Sequence, residues 1–137
     1  MLTGTEAAIY WERATLGVLL ESPSVWSDAQ LRAEDFTTKT HREIFEAICR
    51  LHTEGRDADL VEVAAEVGDK ISLAYLSSLV DGVVRPNFKA YVRRVRDASL
   101  LRQLRGIGRE LAEVATLAEC RPLIERASDV LEPNHAN

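Results

Sequence analysis

The sequence contains little of the two residue types that most often interrupt regular structure. Its 137 residues include only seven glycines and four prolines, and most of these fall between stretches of helical periodicity. A β fold with many tight turns needs more of both, so their scarcity favours helices. Hydrophobic residues make up 46% and charged residues 28%, as in an ordinary globular protein, and the length predicts one domain.

Other absences exclude whole classes of protein. The two cysteines, Cys49 and Cys120, lie inside helical patterns without a second ligand at metal spacing, which predicts free thiols in a reducing cytoplasm. No apolar run approaches the ~20 residues that a membrane helix needs. The first residues lack the basic start of a signal peptide. We therefore expect a cytoplasmic protein with no membrane association.

Residues that would carry catalysis or hold a cofactor are also missing. There is no phosphate-binding loop of the pattern G-x-x-x-x-G-K-S/T, and Gly106-Ile107-Gly108 lacks the preceding strand and third glycine of a dinucleotide site. The histidines His41, His52 and His135 are scattered, and His41 is predicted to be a packed or capping residue. The sequence predicts no catalytic residue, no metal site and no cofactor.

Apolar residues recur at spacings of three and four along most of the chain, which predicts an all-α fold. We predict a small orthogonal globule of about five helices over 5–84, a C-terminal antiparallel helical hairpin over 85–132 and a frayed tail over 133–137. Thr5 and Asp59 are the predicted N-caps of the first and fourth helices. The predicted helices span about 6–20, 23–31, 38–54, 59–68, 73–80, 86–115 and 119–131.

The predicted hairpin begins with an unusually long helix. Its apolar pattern continues for nearly thirty residues, or ~40 Å, which is longer than a globule of this size requires. Gly106 and Gly108 lie within it and are predicted to mark a kink or a close contact with a neighbour. In the last helix, the residues predicted to face inward are Leu123, Ile124, Ala127, Val130 and Leu131.

Basic residues are concentrated in the stretch 85–109. It has eight basic side chains and one acidic one, a net charge of +7, although the whole chain carries −5. Three interpretations stay open: a solvated face paired with Asp97 and the acidic last helix, a protein-docking surface, or weak direct contact with DNA phosphates. No aromatic stacking platform accompanies the cations in the sequence, which weighs against DNA. The candidate residues are Lys89, Arg93, Arg94, Arg96, Arg102, Arg105 and Arg109.

Five short patterns, in this order and spacing, resemble the N-terminal domain of DnaB-type replicative DNA helicases over about 12–132. They are Glu12 with Leu16-Gly17-Val18-Leu19-Leu20; Glu34-Asp35-Phe36 with His41 and Ile44-Phe45; Gly55 with Asp59-Leu60-Val61; Tyr75-Leu76 with Leu79; and Asn87, Tyr91, Val95-Arg96-Asp97 and Leu100-Leu101-Arg102.

The sequence also departs from the family pattern. Tyr10 stands where the family usually has a second glutamate, and Arg94 occupies a position that is normally apolar. The ATPase motor of the helicase is missing altogether. These departures affect the expected surfaces more than the expected fold.

The resemblance implies a non-catalytic module that serves assembly and partner docking in DNA replication. In such helicases the hairpins pair two copies into a homodimer, three dimers form a ring, and the ring docks primase. The helicase motor domain and a helicase loader are further implied partners. The hairpin residues predicted to form the interface are Tyr91, Val95, Leu101, Leu104, Ile107 and Leu111.

Two alternatives stay open beside this interpretation. In the first alternative, the chain is not a domain of a helicase but a standalone adaptor, or a helicase-binding domain like the C-terminal domain of primase, which is related in fold. A helical nucleic-acid-binding module that uses residues 85–109 is the second alternative. Contact with a partner through Trp11 is also considered, because indole side chains are enriched at interface centres.

Overall fold

The computed structural model describes residues 4–82 and 85–132, which form helices and no β-strand. The predicted all-α fold class is confirmed, while the predicted frayed tail lies outside the described residues. Over the described ranges, no helix is both long and apolar enough to cross a membrane. The α-helices are α1 (Gly4–Glu21), α2 (Lys39–Thr53), α3 (Leu60–Val67), α4 (Leu73–Val80), α5 (Phe88–Glu113) and α6 (Leu117–Leu131).

Short 3₁₀ helices complete the chain path. The second predicted helix is only a 3₁₀ helix, Pro23–Asp28, with proline in its first turn as expected. The chain then reverses at Gln30, a non-glycine residue with a φ of 49°, whose carbonyl oxygen accepts a hydrogen bond from Arg96 at 2.5 Å. The other 3₁₀ helices are Ala33–Asp35, Gly68–Lys70 and Arg85–Asn87.

Helix ends follow the capping chemistry of the sequence. The Asp59 side chain accepts a hydrogen bond from the backbone N–H of Glu62 at 2.9 Å, which confirms it as the N-cap of α3. Gly55, with a φ of 74°, follows the end of α2. The prediction for Thr5 is wrong, because α1 already includes Gly4 and Thr5 therefore lies inside the helix.

The chain divides into two compact units, and the division falls inside α5, after Arg96. The predicted boundary lies at 84/85, ahead of this helix. The first turns of α5 belong to the first unit because Phe88, Val92 and Val95 are buried in its core. The second unit, described over 97–132, contains the rest of α5 and all of α6.

The core of the first unit joins apolar faces of α1 to α4. The rings of Phe36 and Phe45 lie 4.9 Å apart at its centre, and both are almost completely buried. Burying each such side chain contributes about 1.5–3 kcal/mol. Leu73, the first residue of α4, is 58% exposed. The other large buried side chains include Leu16, Leu19, Leu20, Ile44, Ile48, Leu51 and Leu76.

The second unit has a thin apolar interior. Ile107 of α5 and Leu123 of α6 are buried, whereas Ile124 and Leu131 of α6 are 55% and 62% exposed. The predicted inward orientation is therefore confirmed for Leu123 and wrong for Ile124 and Leu131, because the apolar residues form two stripes about 100° apart and one of these stripes is outside. Half-buried Leu104, Leu111, Val114, Ala127 and Val130 complete the interior.

The two glycines of α5 do not mark a close contact within this chain. The helix is continuous through Gly106 and Gly108. A Cβ atom on Gly108 would meet nothing within 4 Å, and one on Gly106 would meet only the end of the Arg109 side chain at 3.8 Å. Among the described residues, the predicted close neighbour is thus not found at either glycine.

Candidate functional site

Three residues of the sequence patterns meet in a buried polar network. Glu12 of α1 and His41 of α2 are each only 1% exposed, and Glu12 Oε1 lies 2.8 Å from His41 Nδ1. The other imidazole nitrogen, Nε2, lies 2.6 Å from the hydroxyl of Tyr75 on α4. The second oxygen of Glu12 accepts hydrogen bonds from the Thr37 backbone N–H at 2.8 Å and its hydroxyl at 2.5 Å.

The chemistry of this network indicates a structural role. In the tautomer that satisfies both contacts, the Nδ1–H of His41 donates a hydrogen bond to Glu12 and Nε2 accepts one from the Tyr75 hydroxyl. Each polar atom is paired with another member, as buried polar groups require. The network joins three helices, and His41 is a packed residue, as predicted. In the described parts of the chain, no three metal-ligating side chains cluster.

His52 belongs to a separate aromatic contact. Its ring stacks on Trp26 with centroids 4.5 Å apart, and its Nε2 is buried without a hydrogen-bond partner. Burial lowers the pKa of His52 below its ordinary value of 6.5. Burial also raises the pKa of the nearby Cys49 thiol, which disfavours the reactive thiolate. Trp26 therefore packs against Cys49 and His52 on α2.

We expect the His52 contact to make stability fall in mild acid. Because the folded-state pKa is lowered from 6.5, the unfolded chain takes up the proton first. The contribution of the neutral His52 to the free energy of unfolding is complete above pH 6.5 and is lost as the pH falls from 6.5 through the folded-state pKa. Urea unfolding at neutral and mildly acidic pH should show this loss in the parent and less of it in His52→Phe, which keeps the stacking. Equal pH slopes in both proteins would contradict the assignment.

The predicted interface residues do not share one surface. Val95 is 1% exposed and lies in the core of the first unit, and Tyr91 packs against Trp11 with ring centroids 6.0 Å apart. In the second unit, Ile107 is buried while Leu101 is 46% exposed. Burial inside the chain leaves Val95 and Ile107 unable to contact a partner in this conformation. For half-buried Leu104 and Leu111, and for Leu101, the interface role stays a prediction.

The predicted basic face is also divided. In the first unit, the Arg94 guanidinium lies 4.5 Å from the Trp11 ring, and Arg96 donates to the carbonyl of Gln30. These two arginines make internal contacts in different places, whereas Lys89 and Arg93 are exposed. In the second unit Arg105 and Arg109 are exposed and Arg102 is half-buried.

An ion pair joins the two helices of the second unit. Arg126 of α6 donates to both carboxylate oxygens of Glu110 on α5, at 3.1 and 2.9 Å. These hydrogen bonds hold the pKa of Glu110 below its ordinary value. The pair links the two helices at the surface of this unit.

A second apolar stripe on α6 was missed from the sequence. Leu117, Ile124 and Leu131 recur at every seventh residue and are 88%, 55% and 62% exposed. Residues seven apart lie on nearly the same side of a helix, so the three form one outward row. Monomeric proteins rarely expose such rows, which makes this stripe a candidate interaction surface.

These features define a small helical domain with exposed apolar and basic surfaces. The chain belongs to the DnaB-like helicase N terminal domain family, whose sequence model matches residues 5–97. The match ends one residue after the first compact unit. The resemblance to this family is thereby confirmed.

Individual relatives are replicative DNA helicases. The chain is 34% identical over 107 residues to the DnaB helicase of Treponema pallidum, covering 72% of this chain and 24% of that protein. For the DnaB helicase of Mycobacterium leprae the identity is 30% over 129 residues, covering 85% of this chain and 21% of that protein. The chain thus spans about a quarter or less of these relatives.

Solved structures agree with this assignment. The N-terminal domain of DnaB helicase from Mycobacterium tuberculosis is similar with a TM-score of 0.66 and 28% identity, covering 89% of this chain and 94% of that one. A DnaB-like replicative helicase studied with its interactions with primase has a TM-score of 0.80 and 25% identity, covering 88% of this chain and 31% of that one. The matched region is the N-terminal, non-motor part of the helicase.

Proposed function

We propose that the chain is a non-catalytic module of a replicative DNA helicase that mediates assembly and docks primase in the cytoplasm. Its membership of the DnaB N-terminal family and the primase interactions of one structural relative support this proposal. The expected assembly is a homodimer or a ring of three dimers. The helicase motor domain and a loader are the other proposed partners.

The exposed stripe of α6 is the observation that carries the proposal. Leu117, Ile124 and Leu131 present apolar side chains in heptad spacing, and self-association would remove them from water. Leu101 of α5 adds a further exposed apolar side chain to the same unit. Such a surface is stabilised by a matching apolar face, which a second copy of the chain supplies.

Light scattering over a series of protein concentrations tests this proposal. The parent is expected to form a dimer or a larger even-numbered assembly, while the double variant Leu117→Asp, Ile124→Asp is expected to be monomeric because a buried charge opposes association. Val61→Asp is the matched control, since Val61 is 70% exposed on α3 of the other unit.

Two outcomes would contradict pairing through α6. The first is an unchanged mass of the double variant at every concentration. The second is a parent that stays monomeric at high concentration, which would favour a standalone adaptor or a primase-type docking domain. Binding to a DnaB N-terminal ring would then be the next measurement.

A further inference from the structure

A cleft on the first unit is formed by three aromatic rings. Tyr10 and Trp11 of α1 meet edge to face with centroids 6.1 Å apart, and Trp11 lies 6.0 Å from Tyr91 of α5. The cavity has a volume of about 370 Å³, and its other lining residues are Arg13, Ala14, Ser78, Leu79, Asp81 and Gly82. A space of this size accommodates a flat ring with a short polar substituent.

Two arginines flank the aromatic rings. The guanidinium of Arg94 stacks 4.5 Å from the Trp11 ring, and Arg13, in the cleft wall, lies 5.3 Å from the Tyr75 ring and donates to Ser78 Oγ at 3.4 Å. Around Arg94, residues 85–96 carry five basic side chains and no acidic one. A stacked guanidinium still has N–H groups at its edge, which bind phosphate oxygens.

Tyr10 supplies an exposed ring at the rim of this cleft. Its side chain is 62% exposed although it lies in α1, a helix whose later residues are almost entirely buried. An exposed aromatic ring beside arginines is the combination that the sequence alone did not show, because Tyr10 and Tyr91 are distant in the chain.

We propose that this cleft binds single-stranded nucleic acid. A base stacks on the Tyr10 ring, and the edges of Arg13 and Arg94 hold the neighbouring phosphates. Base stacking on aromatic side chains tolerates any sequence, and arginine adds a cation–π contribution. The cleft thus supplies the stacking platform that the basic stretch lacks in the sequence.

The polar groups of the cleft favour a base over the apolar anchor of a protein partner. Asp81 can accept hydrogen bonds from the donors at the edge of a base, and so can Ser78, whose hydroxyl proton is donated to the Tyr75 carbonyl. An apolar side chain inserted at the same place would leave such groups without water or partners, which costs free energy. The cleft shares no residue with the α6 stripe, so nucleic-acid binding at the cleft does not require self-association through that stripe.

The test follows oligo(dT) binding to the whole chain at low ionic strength, by anisotropy of a labelled oligonucleotide and by NMR. The chain has two tryptophans, and the indole signal of Trp11 should shift on titration while that of Trp26 should not. Tyr10→Ala is expected to weaken binding about tenfold, whereas Tyr10→Phe, which keeps the ring, retains it. Arg94→Gln should weaken binding and flatten its salt dependence.

The control variant is Val61→Ala, at an exposed position of α3, which is expected to bind oligo(dT) like the parent. No anisotropy change at low salt, or binding unaffected by Tyr10→Ala, would overturn the proposal. A shift of the Trp11 indole with a poly(Glu,Tyr) copolymer but not with oligo(dT) would overturn it in favour of an acidic protein partner.

Discussion

Replacing His41 with alanine is expected to lower the free energy of unfolding by about 3–5 kcal/mol. The substitution removes both hydrogen-bonded contacts of the imidazole, at 2.8 Å to Glu12 and 2.6 Å to Tyr75. Glu12, at 1% exposure, would then keep a carboxylate oxygen in the interior without its partner. The empty space left by the ring adds a cavity cost.

Urea unfolding followed by circular dichroism measures this effect. Tyr75→Phe is the matched control, because it removes only the outer hydroxyl of the network and is expected to cost about 1 kcal/mol. Glu12→Gln should fall between the two, since the amide still fills the space and keeps some hydrogen bonds. If His41→Ala lowers the free energy of unfolding no more than Tyr75→Phe does, the buried network does not stabilise the fold.

The helices of the first unit are predictable because their signals are local. Asp59 caps α3 within three residues of its partner, and Gly55 ends α2 through its own backbone conformation. The apolar spacing of Ile44, Phe45 and Ile48 likewise indicates which face of α2 is buried. Such features need no knowledge of the rest of the chain.

The network and the cleft are not predictable in this way, because they depend on contacts between distant helices. Glu12 and His41 are separated by 29 residues, and His41 and Tyr75 by 34. Glu12, His41 and Tyr75 all occur in the family patterns, but this shared occurrence did not indicate that their side chains are in contact. Tyr10 stood out in the sequence as a departure from the family pattern and Tyr91 as a predicted interface residue, but neither indicated that both rings meet Trp11.

Periodicity alone also fails where a helix has two apolar stripes. On α6, Leu123 is 7% exposed and its neighbour Ile124 is 55% exposed, although both are equally apolar in the sequence. Which stripe is buried depends on how α6 packs against α5, and periodicity within α6 does not contain that information. The predicted basic face divides for a similar reason, because Arg94 and Arg96 find different partners in the first unit.

We expect Ile107→Asp to unfold the second unit and leave the first unit folded. Ile107 is 4% exposed and is one of two large apolar side chains buried in this unit, the other being Leu123. Burying an unpaired carboxylate there costs several kcal/mol, which so small an interior cannot offset. The first unit has its own extensive core, to which Ile107 does not belong.

Amide hydrogen exchange distinguishes the units residue by residue. In Ile107→Asp, protection should disappear over α6 and persist over α2, whose apolar face lies in the first core. Ile124→Asp is the matched control: it places the same charge at a 55% exposed position and should preserve protection in both units. Loss of protection throughout Ile107→Asp would show that the two units unfold together. If both variants lose self-association but only Ile107→Asp loses protection, assembly requires both a folded hairpin and its outer stripe.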